Sequence, residues 1–212
     1  MKTRDRILHE ARRLFNEQGY GAVTTATLAA QCGIAEGNLW YHFKTKRALL
    51  DALGEDYAKA VEQRLALIPR GNAIGDYAHL LEAVMAEFRH FRFLYRDQPS
   101  YGDHAEIIAR NAPVWLTRTF AQFEAHLRAL VEAGLLDWPG DALPDLAINA
   151  AIILRYGLEH LRELGAPTGE GTGAVQRVLL RHLTQFEHAL APRAAEHLRE
   201  AIARIEARDI AA

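Results

Sequence analysis

Residues Thr24 to Leu50 read TTATLAAQCGIAEGNLWYHFKTKRALL, and this stretch decides how the N-terminal part of the chain folds. Within it, residues 40–43 are four consecutive rings, Trp-Tyr-His-Phe, and residues 44–47 carry three cationic side chains. Neighbouring side chains on a helix point about 100° apart, so one buried face cannot hide four rings in a row. Some of these rings must therefore face outward.

Turn signals divide the stretch into short helices. The threonine pair at residues 24–25 offers an N-cap to ATLAAQC, and Gly33 suits the left-handed backbone of a tight turn before a third helix at residues 35–43. Upstream, residues 3–18 place their apolar side chains on one helical stripe. Three helices in about forty residues, the last two joined by a short glycine turn, predict a helix-turn-helix module.

Helical periodicity continues through the rest of the chain, and no convincing alternating strand pattern interrupts it. We expect these further helices at residues 46–67, 76–97, 103–110, 114–133, 145–165, 174–190 and 192–208. The fourth of them would start only after Pro113, because proline disfavours a helix interior. The sequence thus predicts an all-α protein with a small N-terminal module and a larger helical body.

The formal net charge of the 212-residue chain is only -2, but the charge is unevenly distributed. Residues 1–50 carry eight Lys/Arg against four Asp/Glu, a balance of +4, and residues 51–212 carry seventeen against twenty-three, a balance of -6. A positive segment on a mildly acidic body suggests a polyanion as the partner of that end alone. A basic face that is merely solvated fits the charge equally well.

Composition also narrows the cellular setting. The apolar runs fall short of the roughly 18 residues of a membrane span, and charges of both signs interrupt the N-terminus, so we expect a soluble cytoplasmic protein without a membrane partner. The single cysteine, Cys32, cannot form an internal disulfide. Its small neighbours predict a buried thiol rather than a nucleophile or a redox sensor.

Residues 24–53, TTATLAAQCGIAEGNLWYHFKTKRALLDAL, resemble the DNA-binding region of TetR/AcrR-family transcriptional regulators. The shared pattern is a Thr-capped helix, a tight turn, a short recognition helix that ends in two aromatic residues, His and Phe or Val, then Lys-x-Lys and a Leu-rich helix. The resemblance covers about residues 3–53, a quarter of the chain.

This resemblance implies an N-terminal three-helix helix-turn-helix DNA-binding domain at residues 1–47 and a larger C-terminal helical domain for ligand binding and dimerisation at residues 48–212. It implies a sequence-specific DNA-binding transcriptional regulator, a repressor that a mostly apolar or aromatic small molecule releases from its operator. The expected partners are double-stranded DNA with a near-palindromic operator, a second copy of the chain, and a small-molecule effector.

The resemblance also assigns DNA-contacting residues. Leu39 and Phe43 lie four apart and share the inward face of the recognition helix, which leaves residues 40–42 for the duplex. The positions that match the family's phosphate contacts are Thr25, Asn38, Tyr41, His42 and Lys46. The positions that match its base-facing residues are Ala26, Glu36, Gly37 and Trp40.

Two of the base-facing positions depart from a simple contact pattern. Ala26 has no side chain that can form a hydrogen bond, so it offers a base only methyl contact. Glu36 places an acid on a DNA-facing helix. It could accept a hydrogen bond from cytosine N4 or cap its own helix N-terminus, and we favour the cap.

Family members dimerise through their last two long helices, which correspond to residues 145–165 and 174–190. The apolar content of these two segments exceeds what one core-facing stripe requires, so we expect a second buried face and a four-helix interface. The interface residues we expect are Ile152, Leu158, Leu161, Leu179, Leu183 and Phe186. Burial within one subunit is the alternative explanation.

The middle of the chain is rich in aromatic residues, which predicts a ligand pocket for an apolar or aromatic molecule. The expected pocket residues are Phe88, Phe91, Tyr95, Tyr101, His104, Trp115, Phe120 and Phe123. For any one of them, ordinary core packing is the favoured explanation. The helix that starts at Lys46 would connect the two domains, and its Gly54 marks either a flexible point or a close helix contact.

An enzyme is the competing class of protein. A di-metal carboxylate site needs two Glu-x-x-His motifs, and the chain has one, from Glu87 to His90. A phosphate-binding glycine loop, a Cys-x-x-Cys pair and a nucleophile elbow are also missing from the sequence. We therefore expect no catalytic residues, no metal and no cofactor. A ligand-independent DNA-binding regulator, or one that senses a protein partner, remains possible.

Overall fold

The computed structural model of the chain describes residues 2–97, 101 and 105–209. Over these residues the regular structure is helical, and a single isolated antiparallel bridge joins Leu136 to Leu190. The ten described α-helices are α1 (Thr3–Gln18), α2 (Thr25–Gln31), α3 (Glu36–His42), α4 (Lys46–Leu65), α5 (Ala73–His90), α6 (Arg92–Arg96), α7 (Glu106–Glu132), α8 (Leu143–Glu163), α9 (Ala174–Leu183) and α10 (Pro192–Asp209). The predicted all-α fold class is confirmed.

The chain forms two compact units. Residues 1–62 and 87–114 make up one, called the head unit here, and residues 63–86 and 115–212 make up the other, called the body unit. These units are defined by packing, whereas the division at residue 47 is one of function and stays a prediction. Within the described ranges, every helix is too short or too polar to cross a membrane.

The first three helices begin and end where local chemistry predicts. Thr24 caps α2, because its side chain accepts a hydrogen bond from the Thr27 amide at 3.1 Å. Gly33 has a φ of +63° and turns the chain between α2 and α3, and its amide donates to the Ala30 carbonyl at 3.0 Å. The predicted N-cap and glycine turn of the helix-turn-helix are thereby confirmed.

The prediction of two helices separated at Pro113 is wrong, because α7 runs through this proline without interruption. A proline removes the amide that would bond to the carbonyl four residues earlier. The carbonyl left without a partner here is that of Ala109. Both Ala109 and Pro113 are exposed, so water can form a hydrogen bond with this carbonyl. Asn111 lies in the same turn and donates its side-chain amide to the Ile107 carbonyl at 2.8 Å.

The helix expected over residues 76–97 is two helices. Helix α5 ends at His90, and Phe91 leaves the helical conformation before α6 begins. The Asn16 side chain explains this break, because it donates to the His90 carbonyl at 2.9 Å and accepts from the Phe93 amide at 3.0 Å. The predicted helix at 174–190 is also shorter. Helix α9 ends at Leu183, a 3-10 turn follows at Glu187–Ala189, and Leu190 then pairs with Leu136.

A hydrogen-bonded histidine lies in the core of the body unit. His182 is fully buried, and burial lowers its pKa to about 3, so the ring is neutral at physiological pH. The Gln185 side-chain amide donates to Nδ1 at 2.9 Å. This leaves the proton on Nε2, which lies 2.6 Å from the Tyr77 hydroxyl. The pair satisfies both polar groups among apolar neighbours.

Helices α8 and α9 pack closely where Gly157 meets Val178. A Cβ added at Gly157 would lie 2.5 and 2.8 Å from the two γ carbons of Val178 and 3.2 Å from its Cβ. All three atoms belong to a β-branched side chain whose χ1 is stiff, so rotation cannot relieve the clash. Only glycine at residue 157 permits this approach.

We therefore expect Gly157→Ala to lower the free energy of unfolding by about 1–3 kcal/mol, as overpacking does. Adding Val178→Ala to this variant should recover part of the loss, so the pair should couple in a double-mutant cycle measured by urea unfolding. The matched control is Gly37→Ala, where a new Cβ meets nothing within 4 Å and helix propensity should raise stability slightly. Strictly additive effects at residues 157 and 178 would contradict the contact.

Candidate nucleic-acid interface

The recognition helix α3 buries one side and exposes its rings on the other. Leu39 is fully buried and Phe43, which follows the helix, is 4% exposed. Trp40 and His42 are half-buried, and Tyr41 is 75% exposed. The prediction that residues 39 and 43 hold the helix while the rings between them stay accessible is confirmed. Amphipathic rings of this kind suit a duplex surface of phosphates, sugars and methyl groups.

Lys46, the first residue of α4, is held by the chain segment between α1 and α2. Its Nζ donates to the Tyr20 carbonyl and lies 4.2 Å from the centroid of the Tyr20 ring. Burial lowers the pKa of this amine. An ammonium has three donors, so the bond to Tyr20 leaves capacity for a phosphate oxygen. Thr45 caps α4 directly beside it, accepting from the Ala48 amide at 3.0 Å.

The prediction that Glu36 caps its own helix is wrong. Helix α3 begins at Glu36, and its N-cap residue, Ala35, forms no side-chain capping hydrogen bond. The Glu36 carboxylate instead accepts a hydrogen bond from the Thr25 hydroxyl at 2.7 Å. Thr24 performs the capping of α2, so the adjacent hydroxyl of Thr25 is available for this bond. Two predicted DNA-contacting residues are thereby tied to each other.

All nine predicted DNA-contacting residues lie on α2, on α3 or at the start of α4, inside the head unit. Ala26, Gly37 and Asn38 are exposed, as a surface that approaches DNA requires. Their contact with DNA stays a prediction. Cys32 lies at the end of α2, and burial raises its pKa, so the predicted buried thiol is confirmed.

The segment that follows α5 satisfies the C-terminal end of α1. A helix end leaves carbonyls without helical partners, and the Arg96 guanidinium donates to the Phe15 carbonyl at 2.6 Å and to the Asn16 carbonyl at 2.9 Å. Asp97 pairs with Arg96 at 2.7 Å and accepts from the Tyr20 amide, also at 2.7 Å. These contacts could not be predicted from local sequence patterns, because the partners lie about eighty residues away in the chain.

Tyr20 consequently connects this segment to the predicted DNA-contacting surface. Its amide donates to Asp97 and its carbonyl accepts from Lys46. Its ring packs edge-on against Phe15, with centroids 5.2 Å apart, and against Tyr101, with centroids 6.1 Å apart. A displacement of Asp97 would therefore act directly on the backbone that positions Lys46.

The predicted pocket residues divide between the two units. Phe88, Phe91, Tyr95 and Tyr101 belong to the head unit, Trp115, Phe120 and Phe123 belong to the body unit, and His104 lies outside the described residues. In the head unit, the hydroxyls of Tyr57 and Tyr95 lie 2.6 Å apart, and the Tyr95 hydroxyl donates to Glu87 at 3.3 Å. This hydrogen-bonded chain lies among aromatic rings. The pocket itself stays a prediction.

Gly54 of α4 marks a close contact in the head unit. The glycine is buried, and a Cβ added to it would lie 3.0 Å from Cγ2 of Ile107 and 3.7 Å from Cδ1 of Ile108. Both isoleucines lie in the first turn of α7. Of the two explanations for this glycine, the geometry therefore supports close helix packing.

The predicted dimer residues are mostly core residues of a single chain. Leu158, Leu161, Leu179, Leu183 and Phe186 are all buried in the body unit, which leaves them little area to bury against a second copy. Ile152 is 49% exposed and does face outward. Tyr156, one turn later on α8, is 53% exposed and was missed, although its i+4 spacing from Ile152 could have indicated it. The interface stays a prediction.

Comparison with known proteins identifies the class of this helix-turn-helix protein. Residues 7–53 match the family described as bacterial regulatory proteins, tetR family, and residues 56–198 match the family described as bacterial transcriptional repressor. The Escherichia coli tetracycline repressor protein class A from transposon 1721 is 34% identical over 181 residues, which are 84% of this chain and 75% of the relative.

Two further comparisons indicate the same class of protein. The HTH-type transcriptional regulator QacR of Staphylococcus aureus is 42% identical over 64 residues, which are 30% of this chain and 34% of the relative. The crystal structure of a TetR-family transcriptional regulator from Marinobacter aquaeolei VT8 is 27% identical and covers 99% of both chains with a TM-score of 0.74.

The chain belongs to the TetR family of bacterial transcriptional regulators. Members of this family are repressors that bind operator DNA as dimers and respond to small-molecule effectors. The chain is accordingly a transcriptional regulator and not an enzyme.

Lys46→Gln should weaken binding to all DNA sequences and reduce the slope of log affinity against log salt by about one unit, because a phosphate contact is lost. Fluorescence anisotropy of a labelled duplex at several salt concentrations measures both quantities. Lys59→Gln is the matched control, since it removes the same charge from an exposed residue of α4 that pairs with Asp56. An unchanged slope in Lys46→Gln would show that this amine serves the fold alone.

Proposed function

We propose that this regulator is a repressor that reads a near-palindromic operator through α3 of each subunit and leaves it when a mostly apolar or aromatic small molecule binds. The observation that carries the proposal is the arrangement of α3, whose rings stay accessible while Leu39 and Phe43 anchor it. The helix-turn-helix and the lysine at the start of α4 complete a surface that suits a duplex.

A two-fold dimer explains why the operator should be near-palindromic. Two identical α3 helices related by a two-fold axis meet two equivalent half-sites, and their separation must match about one turn of the duplex. In this proposal, the side chains of Asn38, Tyr41, His42 and Lys46 bind phosphates and set the register. Thr25, whose hydroxyl donates to Glu36, binds a phosphate through its backbone amide in the first turn of α2. Base edges face Ala26, Glu36, Gly37 and Trp40.

The proposal also divides the chain by function. Residues 1–47 would form the DNA-binding domain, and residues 48–212 would form the ligand-binding and dimerisation domain. The protein would act in the cytoplasm.

The chemistry of the aromatic residues supports an apolar or aromatic effector. Phe88 and Phe91 are buried, and Tyr95 adds a hydroxyl that is part of the chain to Glu87. Such surroundings offer a large apolar area together with a few polar groups that fix orientation. A ligand with flat rings and a small number of hydrogen-bonding groups matches this composition.

Release of DNA requires that the effector bind one arrangement of the dimer's two DNA-binding surfaces better than the other. Arg96 donates a hydrogen bond to the end of α1, and Asp97 accepts one from the Tyr20 amide. The Tyr20 carbonyl accepts from Lys46, so these bonds provide a direct connection to Lys46. Helix α6, which carries Arg96, directly follows the helix that bears Phe88. We propose that a shift of this segment on ligand binding displaces Tyr20 and thereby the lysine.

Selection of randomised duplex DNA on the purified protein at near-physiological salt tests the proposal. We expect a near-palindromic motif with two half-sites separated by about one helical turn. The selected duplex then becomes the probe for apolar and aromatic compounds that cause release. Binding without a motif that vanishes with modest salt, before and after refolding to strip any bound ligand, would contradict sequence-specific regulation.

Asp97→Ala should lower operator affinity severalfold, because the Tyr20 amide loses its acceptor and one such hydrogen bond contributes about 1 kcal/mol. The effect would be notable because Asp97 lies outside the predicted DNA-contacting residues. Anisotropy with the selected operator measures it, and thermal unfolding reports whether the variant is folded. The exposed Asp141 provides the control variant Asp141→Ala. Wild-type affinity in a folded Asp97→Ala protein would exclude this connection.

A further inference from the structure

We propose that Glu36, positioned by Thr25, makes the protein select a cytosine at one position of each operator half-site. This inference rests on the proposed function, because it names the base that α3 recognises. It starts from the observation that the Glu36 carboxylate is bound to a neighbouring helix rather than to its own helix N-terminus.

The bond between Thr25 and Glu36 gives the carboxylate a defined position. The hydroxyl and carboxylate oxygens are 2.7 Å apart, within the range of a charge-assisted hydrogen bond. It joins the first residue of α2 to the first residue of α3 across the turn at Gly33. A long, exposed glutamate would otherwise sample several rotamers, and ordering it on binding would cost conformational entropy.

Glu36 remains able to bind a base while it is held. The residue is exposed, and an ionised carboxylate has about four lone-pair positions, of which the Thr25 hydroxyl uses one. The carboxylate can only accept hydrogen bonds. It therefore requires a donor on the base it meets.

In the major groove, cytosine best meets this requirement. Its N4 amine presents a donor, whereas guanine presents two acceptors and thymine presents an acceptor and a methyl group. Adenine has a donor at N6, but the acceptor N7 lies beside it and repels an anion. A fixed carboxylate near the phosphates is unfavourable unless a donor compensates it, so the wrong bases are rejected more strongly than cytosine is attracted.

The other predicted base-facing residues do not compete for this role. Ala26 and Gly37 have no hydrogen-bonding side chain, and Trp40 offers a ring and an indole donor. Glu36 is therefore the one acceptor among these four side chains. Its charge should dominate the preference at the base pair it faces.

The test is selection of randomised duplex DNA with the wild-type dimer and with Glu36→Gln. In the wild type we expect cytosine at one position of each half-site, and replacing it with any other base should weaken binding roughly tenfold or more. In Glu36→Gln we expect that position to change toward adenine, because a glutamine amide pairs with N6 and N7 of adenine. All other positions of the motif should stay the same.

Two variants of Thr25 separate positioning from general phosphate binding. Thr25→Val removes the hydroxyl and should reduce the ratio of cytosine to other bases at that position, whereas Thr25→Ser keeps the hydroxyl and should retain the ratio. Glu55→Gln, an exposed acid on α4 outside the predicted DNA-contacting residues, is the control and should leave the motif unchanged. Thermal unfolding establishes that each variant is folded.

The outcomes distinguish this inference from the proposed function. A palindromic motif that Glu36→Gln leaves unaltered, or a uniform loss of affinity for all sequences in that variant, would overturn the inference while the repressor function stands. The absence of any motif in the wild type would overturn the proposed function itself. A preference that survives in Thr25→Val would show that Glu36 acts without Thr25 and would overturn the positioning role.

Discussion

The backbone of Tyr20 is the point on which the arrangement of the head unit depends. Its amide donates to Asp97 and its carbonyl accepts from Lys46, so one peptide segment joins the residues after α6 to the first residue of α4. Arg96 strengthens this junction by satisfying the last carbonyls of α1. Because buried backbone groups are costly to leave unpaired, the junction restricts how α1, α4 and α6 can move independently.

Glycine and asparagine positions set the packing around this junction. Gly54 lets α4 approach the first turn of α7, and Asn16 ends α5 by replacing helical hydrogen bonds at His90 and Phe93. Small residues and side-chain amides thus decide where helices meet and end. A regulator of this class can change between two arrangements only if such contacts are broken and remade together.

The sequence predicted features that depend on near neighbours. The Thr24 cap, the turn at Gly33 and the inward pair formed by Leu39 and Phe43 all follow from local periodicity and turn chemistry, and the structure has each of them. The break after α5 could not be predicted, because Asn16 lies 74 residues from His90. The apolar excess of residues 145–165 and 174–190 indicated that these side chains are buried. It could not indicate whether they pack within one chain or against a second copy. The bond of Glu36 to Thr25 likewise depends on how two helices cross.

Cys32 has a consequence for the dynamics of the helix-turn-helix. It is the single thiol of the chain and is buried at the end of α2, so a thiol reagent can reach it only when α2 separates from its neighbours. Burial also raises the pKa of this thiol, which disfavours the reactive thiolate while α2 is packed. The rate at which a thiol reagent modifies Cys32 would therefore report how often the helix-turn-helix opens locally. This measurement needs no labelled DNA.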